Sequence, residues 1–407
     1  MAKKKNKTRA DGRIAVQVYL GMVDGKRKYK TVYGSTQKEA DEKALEVKLQ
    51  MRKGIDVTCG NDSWDSWAKR WADNKRLTVS AGQMGAYDSC VKHLSGYLGA
   101  APITKIKTID IQDVVNALSA NNPNTGKPAS YRMLEIVKIT ASQIFQLAID
   151  NRVMDYNPAN AVKIPSGAPA ETRRALTEEE RSWIIDTPHT AQRPAMLCLF
   201  AGLRRGEVIP LTWDDIDLQA RTIDVNKSVE MIHGKPVVKQ GAKTDSGVRT
   251  VDIPQILVDF LTGEKAKDAS KQQQTVMALH PLVCPDRRGN MYNTQTWGRM
   301  WRSYLIDLNL KYGDFSGHLR KPKSKYDPAG VPMVIPHFTA HWLRHTFATM
   351  LYMAGVDVLT AKEQLGHSNI STTLKIYTHL DATYKRRAMD KLDAYLTGDA
   401  SQMQVNI

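Results

Sequence analysis

The segment LGHSNISTTLKIY, residues Leu365–Tyr377, places a histidine and a tyrosine ten residues apart near the end of a basic chain. Each has an ordinary explanation. His367 fits a loop histidine, and Tyr377 fits a half-buried packing residue with its hydroxyl near water. The segment is therefore not decisive alone, and its meaning depends on three segments upstream.

These three segments concentrate side chains that suit a phosphate group. They are AGLRRGEV with Arg204 and Glu207, KTDSGVRTVDIP with Lys243, and HWLRHTFAT with His341 and Arg344. Singly, each has an alternative: a helix salt bridge in the first, a solvated hairpin lysine in the second, and a core histidine in the third. Residues three apart share a helix face. The order and composition of all four segments together favour one site.

The composition bounds the class of protein. The 407 residues carry 58 Lys or Arg against 42 Asp or Glu, a net charge of +16, and half of this excess lies in the first 57 residues. Such an excess favours a polyanion as partner, nucleic acid first. The length favours two or three domains. The sequence has no 18-residue apolar run, and no apolar stretch follows the basic N-terminus, so we expect neither a membrane span nor a secretory signal.

The cysteine pattern indicates a reducing compartment. Four cysteines lie far apart without a CxxC pair, which is typical of free thiols in a cytoplasm and does not favour a metal site. The chain also has no GxxxxGK[ST] phosphate loop. We expect a cytoplasmic enzyme without metal, nucleotide or other cofactor.

Residues 1–57 predict a small ββ(β)α module. Apolar residues alternate in RIAVQVYLG, Asp24-Gly25 signals a turn, and KRKYKTVYG returns as a basic strand. Thr36 followed by Glu39 predicts the capping box of a helix that ends at Gly54. A short basic sheet can enter a DNA groove, although a basic surface on an accessory fold is the plainer alternative. The candidate DNA contacts are Arg13, Lys26, Arg27, Lys28 and Lys30.

The remaining chain divides into a helical part, a linker and a mixed domain. Residues 58–163 show four helical stripes; Trp64, Trp67 and Trp71 form the first, which is more typical of a core than of a base-stacking platform. Residues 164–174 read as a linker. Residues 175–397 begin with the capping box of Thr177 and Glu180, continue through a β-rich section, and include an extended basic loop over residues 311–336.

The four segments together resemble the signature boxes of the tyrosine recombinases, the phage integrase family, over residues 175–385. Residues 60–160 resemble the family's helical core-binding (SAM-like) domain, and the first 57 resemble the arm-binding module of lambda-type and conjugative-transposon integrases. The implied fold is multidomain α+β, mostly α. Residues 311–336 are the one departure, an insert ahead of the third box, and they leave the local DNA contacts open.

The resemblance implies a metal-free strand cleavage, and the residue types suit that chemistry. Negative charge on the two non-bridging phosphate oxygens would be held by the guanidinium groups of Arg204 and Arg344. Glu207 would orient Arg204. His341 and His367 would donate hydrogen bonds to the same phosphate.

Two further side chains would take part directly in the reaction, one as nucleophile and one as general acid. Tyr377 is the expected nucleophile, and His341 would relay its proton. Lys243, on a turn, is the expected general acid for the departing 5′-hydroxyl. The 3′-phosphotyrosine would conserve the bond energy, so rejoining would need no ATP.

The predicted function is a site-specific recombinase that integrates and excises a mobile element, a prophage or an integrative conjugative element. A type IB topoisomerase and a DNA-binding regulator without catalysis are the alternatives. The implied partners are core-type and arm-type DNA within the bacterial nucleoid, a homo-tetramer on that DNA, and an excisionase or host DNA-bending protein. A tail helix after Tyr377, with Met389, Leu392 and Leu396 on one side, either packs on its own domain or docks on a neighbouring protomer.

Overall fold

The computed structural model describes residues 11–23, 26–55, 62–166, 174–232, 234–240, 248–272, 282–317, 320–371, 373–374, 389 and 393. The chain divides into two compact units, Met1–Glu171 and Thr172–Ile407. The domain limits at residues 57, 163 and 174 stay predictions. Lys243, Tyr377 and all but two residues of the proposed tail helix lie outside the described residues.

The first unit begins with a hairpin on a helix, as the alternating pattern predicts. Strands β1 (Ile14–Val23) and β2 (Lys26–Gly34) pair antiparallel, with a bulge between Tyr19 and Gly21. Helix α1 (Gln37–Arg52) packs Ala44 and Val47 against Val18. The described residues contain no third strand in this module.

The cap of α1 differs from the predicted capping box in one bond. The Thr36 hydroxyl accepts from the Glu39 N–H as expected. The Glu39 carboxylate, however, accepts from the N–H of Ser35, at 2.8 Å. Since that N–H comes one residue earlier, the box is shifted rather than lost.

Four α-helices follow in the described residues of the first unit, and three of them begin at a serine whose hydroxyl accepts an N–H bond from the first turn. Those serines are Ser63, Ser80 and Ser130. Trp64, Trp67 and Trp71 are buried, which confirms them as core. The helices are α2 (Trp64–Arg76), α3 (Ala81–Leu98), α4 (Thr108–Ala120) and α5 (Tyr131–Asp150).

The second unit places helices on both sides of a short β-rich section. Its helices are α6 (Glu178–Ile185), α7 (Gln192–Phe200), α8 (Arg205–Val208), α9 (Gln255–Gln272), α10 (Thr294–Tyr312), α11 (Ala340–Met353) and α12 (Val358–Leu365). Its strands are β3 (Ile216–Asp217), β4 (Thr222–Val225), β5 (Lys227–Ile232), β6 (Lys235–Gln240) and β7 (Arg249–Asp252). One antiparallel sheet has the order β3-β4-β7, and β5 pairs with β6. None of the helices in the described ranges is long and apolar enough to cross a membrane.

Two packing features of the second unit position the site. The Thr177–Glu180 capping box is present in full, and the Leu176 N–H donates to the Thr346 hydroxyl on α11 at 3.0 Å. The buried helix α7 lies against α11. Because α7 leads into Arg204 and α11 carries Arg344, this contact brings the first and third boxes together.

The insert between α10 and α11 is a loop pinned at its exit. The fully buried Asn309 donates to the Pro332 carbonyl at 2.9 Å and accepts from the N–H groups of Val334 and Ile335. Further out, Arg320 donates to Asp327 at 2.9 Å and closes a turn. The insert is therefore held where it rejoins the core, ahead of α11.

Candidate active site

The first box is a tight turn that presents Arg204. Gly202 follows α7 with φ +63°, and a Cβ built there would lie 2.4 Å from the Phe347 ring on α11. Only glycine fits both the left-handed backbone and the close approach. Arg204 then caps α8, where its N–H donates to Glu207 Oε2 at 2.9 Å and its Nη1 to Oε1 at 2.7 Å.

The fourth box ends a helix with its carbonyls turned toward arginines. Helix α12 stops at Gly366, which has φ +60°. Three successive carbonyls, of residues 364, 365 and 366, each accept a bond from a different arginine: Arg249, Arg344 and Arg204. The carboxyl end of a helix is its negative end, so it attracts cations. The turn before His367 is thus the anchor for all three guanidinium groups.

Arg249 is a site residue that the sequence reasoning missed. It opens β7, six positions after Lys243 in the quoted segment KTDSGVR. Its Nη1 and Nη2 donate to the two oxygens of Glu207 at 3.2 and 3.0 Å. The signal was present, since a third arginine stood inside a quoted box, but nothing in the spacing paired it with Glu207.

Glu207 is a buried carboxylate that stays ionised. Its side chain is 7% exposed and touches Arg204, Arg249 and, at 4.0 Å, Arg344. Burial alone would raise the pKa of Glu207, but the hydrogen bonds and charge of Arg249, with the charges of the other two arginines, outweigh it and lower that pKa to about 2. The pair is therefore present, as the plain alternative supposed, but it is buried and shared among three cations.

The three arginines differ in access. The side chain of Arg204 is 40% exposed, whereas those of Arg344 and Arg249 are 3% and 8% exposed. Arg344 donates to the carbonyls of Gly202 and Leu365. Burial, with the charge of Arg204, lowers the pKa of Arg344 to about 9, which leaves it cationic at neutral pH. Arg204 is the open cation of the three.

The two histidines lie in different environments. His367 is half-buried, and its Nδ1 lies 2.9 Å from the Oγ1 of the buried Thr373. Burial, followed by the positive charges of Arg344 and Arg204, lowers the pKa of His367 to about 4, so the ring is neutral at pH 7. His341 is exposed on the first turn of α11, where its protonated form would lower the pKa of His367.

The hairpin module carries a second candidate surface. Tyr19, Tyr29 and Tyr33 are 48%, 47% and 37% exposed on the sheet face away from α1, and Tyr19 lies 5.4 Å from Tyr29 between ring centroids. Arg13 lies over Tyr33 and is paired with Asp11. Sequence reasoning on charge did not single out these tyrosines.

Strand alternation divides the predicted basic contacts between two faces. Arg27 falls on the tyrosine face. Lys30 pairs with the buried Val18, so Lys30 and Lys28 fall on the α1 side. The side chain of Lys26 lies outside the described part of the module.

The comparisons with known proteins support the family resemblance of the four quoted segments. The model of the Phage integrase family matches residues 174–383, just over half of the chain. The chain belongs to the phage integrase family. It is therefore a tyrosine recombinase, a DNA strand-transferring enzyme that acts at specific sites.

Several relatives of this recombinase cover most of its length. It is 29% identical to a tyrosine recombinase XerC-like protein of Caldanaerobacter subterraneus subsp. tengcongensis, over 97% of this chain and 99% of the relative. It is 27% identical to the ICEBs1 integrase of Bacillus subtilis, over 75% of each. The relatives include integrases of mobile elements, in line with the predicted function.

Solved structures confirm the mostly α multidomain fold. The Tn1549 transposon integrase in complex with transposon right end DNA matches with a TM-score of 0.60 and 22% identity, over 81% of this chain and 99% of that one. A lambda integrase tetramer bound to a Holliday junction matches with a TM-score of 0.51 and 16% identity, over 90% and 96%.

Within this recombinase, the structure brings together five of the seven predicted catalytic residues. Arg204 and Arg344 both face Glu207 and both donate to carbonyls at the end of α12, directly before His367. The charges of Arg344, Arg204 and His341 act on His367. Lys243 and Tyr377 lie outside the described residues. Arg249 and Thr373 complete the described site.

Proposed function

We propose that this recombinase cleaves DNA by attack of the Tyr377 hydroxyl on a phosphodiester held between Arg204 and His367. The charge balance of the cluster supports this most directly. In its described part, three guanidinium groups surround one carboxylate, Glu207, while His367 stays neutral. The surplus positive charge is accessible to solvent at Arg204, where a phosphate would neutralise it.

The arginines and His367 divide the binding of the phosphate. Arg204 has N–H groups not committed to Glu207 and Gly366, and these grip the non-bridging oxygens. Arg344 is buried and acts chiefly through its positive charge. If the Nδ1 of His367 accepts from the Thr373 hydroxyl, its Nε2–H is free to donate to the phosphate.

The cleavage step then needs no added reagent. The Tyr377 oxygen bonds to phosphorus, the bond from phosphorus to the 5′-oxygen breaks, and Lys243 protonates that oxygen. The phenolic proton passes to His341. Attack by the 5′-hydroxyl of a second strand on the 3′-phosphotyrosine reverses the sequence and joins the new strands.

The hairpin module extends the proposal to a second class of DNA site. Its tyrosine face, flanked by Arg27, has the aromatic and basic groups that suit insertion of a sheet into a groove. We therefore propose that the enzyme binds core-type sites through its larger part and arm-type sites through residues 1–57. It would integrate and excise its element as a tetramer on chromosomal DNA, with an excisionase or DNA-bending protein setting direction.

The test is covalent capture of the protein on a nicked, end-labelled core site. The unmodified protein should give a slow, denaturation-resistant band, Tyr377→Phe should bind the same DNA without it, and Tyr384→Phe should keep it as a matched control. An adduct formed by Tyr377→Phe would refute the nucleophile. Absence of any adduct from the unmodified protein would favour a regulator, and relaxation of supercoiled DNA without site preference would favour a topoisomerase.

A further inference from the structure

All three side-chain nitrogens of Arg249 donate to other groups of the protein. Its Nε donates to the Gln364 carbonyl at 3.0 Å, and both terminal nitrogens donate to Glu207. Its side chain is 8% exposed, against 40% for Arg204. A guanidinium with all three nitrogens engaged and almost no access does not suit direct binding of a substrate phosphate.

The same side chain lies flat against the turn that ends α12. A Cβ built on Gly366 would lie 2.8 Å from Arg249 Nη1 and 2.9 Å from its Cζ. The next residue along the chain is His367, and the Gly366 carbonyl accepts from Arg204. Arg249 therefore touches the supports of both groups that face the phosphate.

Glu207 depends on this contact for its charge. The groups that face it are Arg204 from the turn before α8, Arg249 from β7, Arg344 from α11 and the buried thiol of Cys198 from α7. Of the three cations, Arg249 alone binds both carboxylate oxygens through its side chain. A carboxylate this deeply buried is strongly destabilised in its charged form without such a partner.

We propose that Arg249 is a positioning residue for strand cleavage, which holds the Glu207 carboxylate and the end of α12 so that Arg204 and His367 face the scissile phosphate. The inference rests on the proposed function of the site. Lysine would supply the charge but not the two-pronged geometry, because its ammonium is a single point donor.

Removing Arg249 should change the pH dependence of the cleavage rate, which a loss of packing alone would not do. Without it the pKa of Glu207 should rise, by about 1 to 3 pH units for the loss of one close opposite charge. Protonation of Glu207 then releases Arg204 at a pH where the unmodified protein is unaffected. The cleavage rate should therefore fall on the acid side at a higher pH than before.

The experiment measures single-turnover cleavage of the nicked core site from pH 3.5 to pH 8, with thermal unfolding of each protein alongside. Arg249→Met should cleave about 10- to 100-fold more slowly at pH 7, and its acid limb should lie at higher pH. Arg249→Lys should recover part of the rate with an acid limb near that of the unmodified protein. The double variant Glu207→Gln, Arg249→Met should lose the shifted limb, because residue 207 then has no carboxyl group to titrate.

Arg193→Met is the matched control. Arg193 is similarly buried and pairs with two carboxylates, Glu264 and Asp268 on α9, away from the three-arginine cluster. This variant should unfold at lower temperature with an unchanged pH profile.

A profile for Arg249→Met that runs parallel to that of the unmodified protein would overturn the proposal. Should Arg249→Met fail to fold, the double variant decides. It removes both partners of the buried Arg249–Glu207 pair, so recovery of folding supports the partnership and failure to recover contradicts it. If the unmodified protein forms no adduct, the proposed function fails instead.

Discussion

Replacing Gly366 by alanine tests the junction of α12 with the arginines. Its φ of +60° is a left-handed conformation that costs an alanine about 1–2 kcal/mol. In addition, the new Cβ would lie within 3.0 Å of Arg249 Nη1, Cζ and Nε. The guanidinium must shift, and losing one of its three charge-assisted bonds adds about 1.5–3 kcal/mol. We expect a total loss of unfolding free energy of about 2.5–5 kcal/mol.

Gly289 provides the matched control for this substitution. It has φ +81° in the same unit, with no atom within 4 Å of a built Cβ. Gly289→Ala should therefore lose only the backbone contribution of about 1–2 kcal/mol. Because small displacements of a positioning group are costly in rate, cleavage should fall about 100-fold for Gly366→Ala and little for Gly289→Ala.

The assays are urea unfolding and single-turnover cleavage of a nicked core site. Equal losses of stability and equal rates for the two variants would show that the contact between residue 366 and Arg249 has no energetic weight. The end of α12 would then not hold Arg249 in place.

Three further predictions concern other parts of the protein. Because the pKa of His367 is lowered to about 4 in the folded protein, the unfolded chain binds a proton at this residue at higher pH than the folded chain does. Stability should therefore fall as the pH drops from about 6.5 toward 4. His367→Asn should flatten that part of a pH series of unfolding midpoints. Arg27→Ala should reduce the salt dependence of arm-site binding by about one phosphate contact, whereas Lys48→Ala on the exposed side of α1 should not, as salt titrations of DNA binding would reveal. Lys243→Ala should slow cleavage of normal DNA but spare a substrate with sulfur as the 5′-bridging atom, because a thiolate leaves without a proton; no recovery with sulfur would leave Lys243 only a phosphate contact.

The sequence predicted those features that depend on local chemistry. The Thr177–Glu180 box and the tryptophan stripe of α2 both follow from spacing along one helix. The pairing of Arg204 with Glu207 was likewise accessible, since both lie on one short helical turn.

The features that the sequence reasoning missed depend on contacts between distant segments. Arg249 is 42 residues from Glu207 and 115 from Gln364, and no periodicity connects them. The burial of Arg344 behind the Gly202 carbonyl follows from the packing of α7 on α11. Likewise, charge counting grouped Arg27 with Lys28 and Lys30, and only the strand register separated them.

The pinned exit of the insert has a practical consequence for engineering. Asn309 fixes the chain at Pro332, Val334 and Ile335, ahead of α11. The turn closed by Arg320 and Asp327 lies beyond that clamp. A tag or a foreign DNA-binding peptide could replace the tip of this turn while the register of α11 is kept. Between Arg344 and Gly366, by contrast, a single added residue would misplace the carbonyls of residues 364, 365 and 366 that hold the three arginines, so that stretch should not tolerate a change of length.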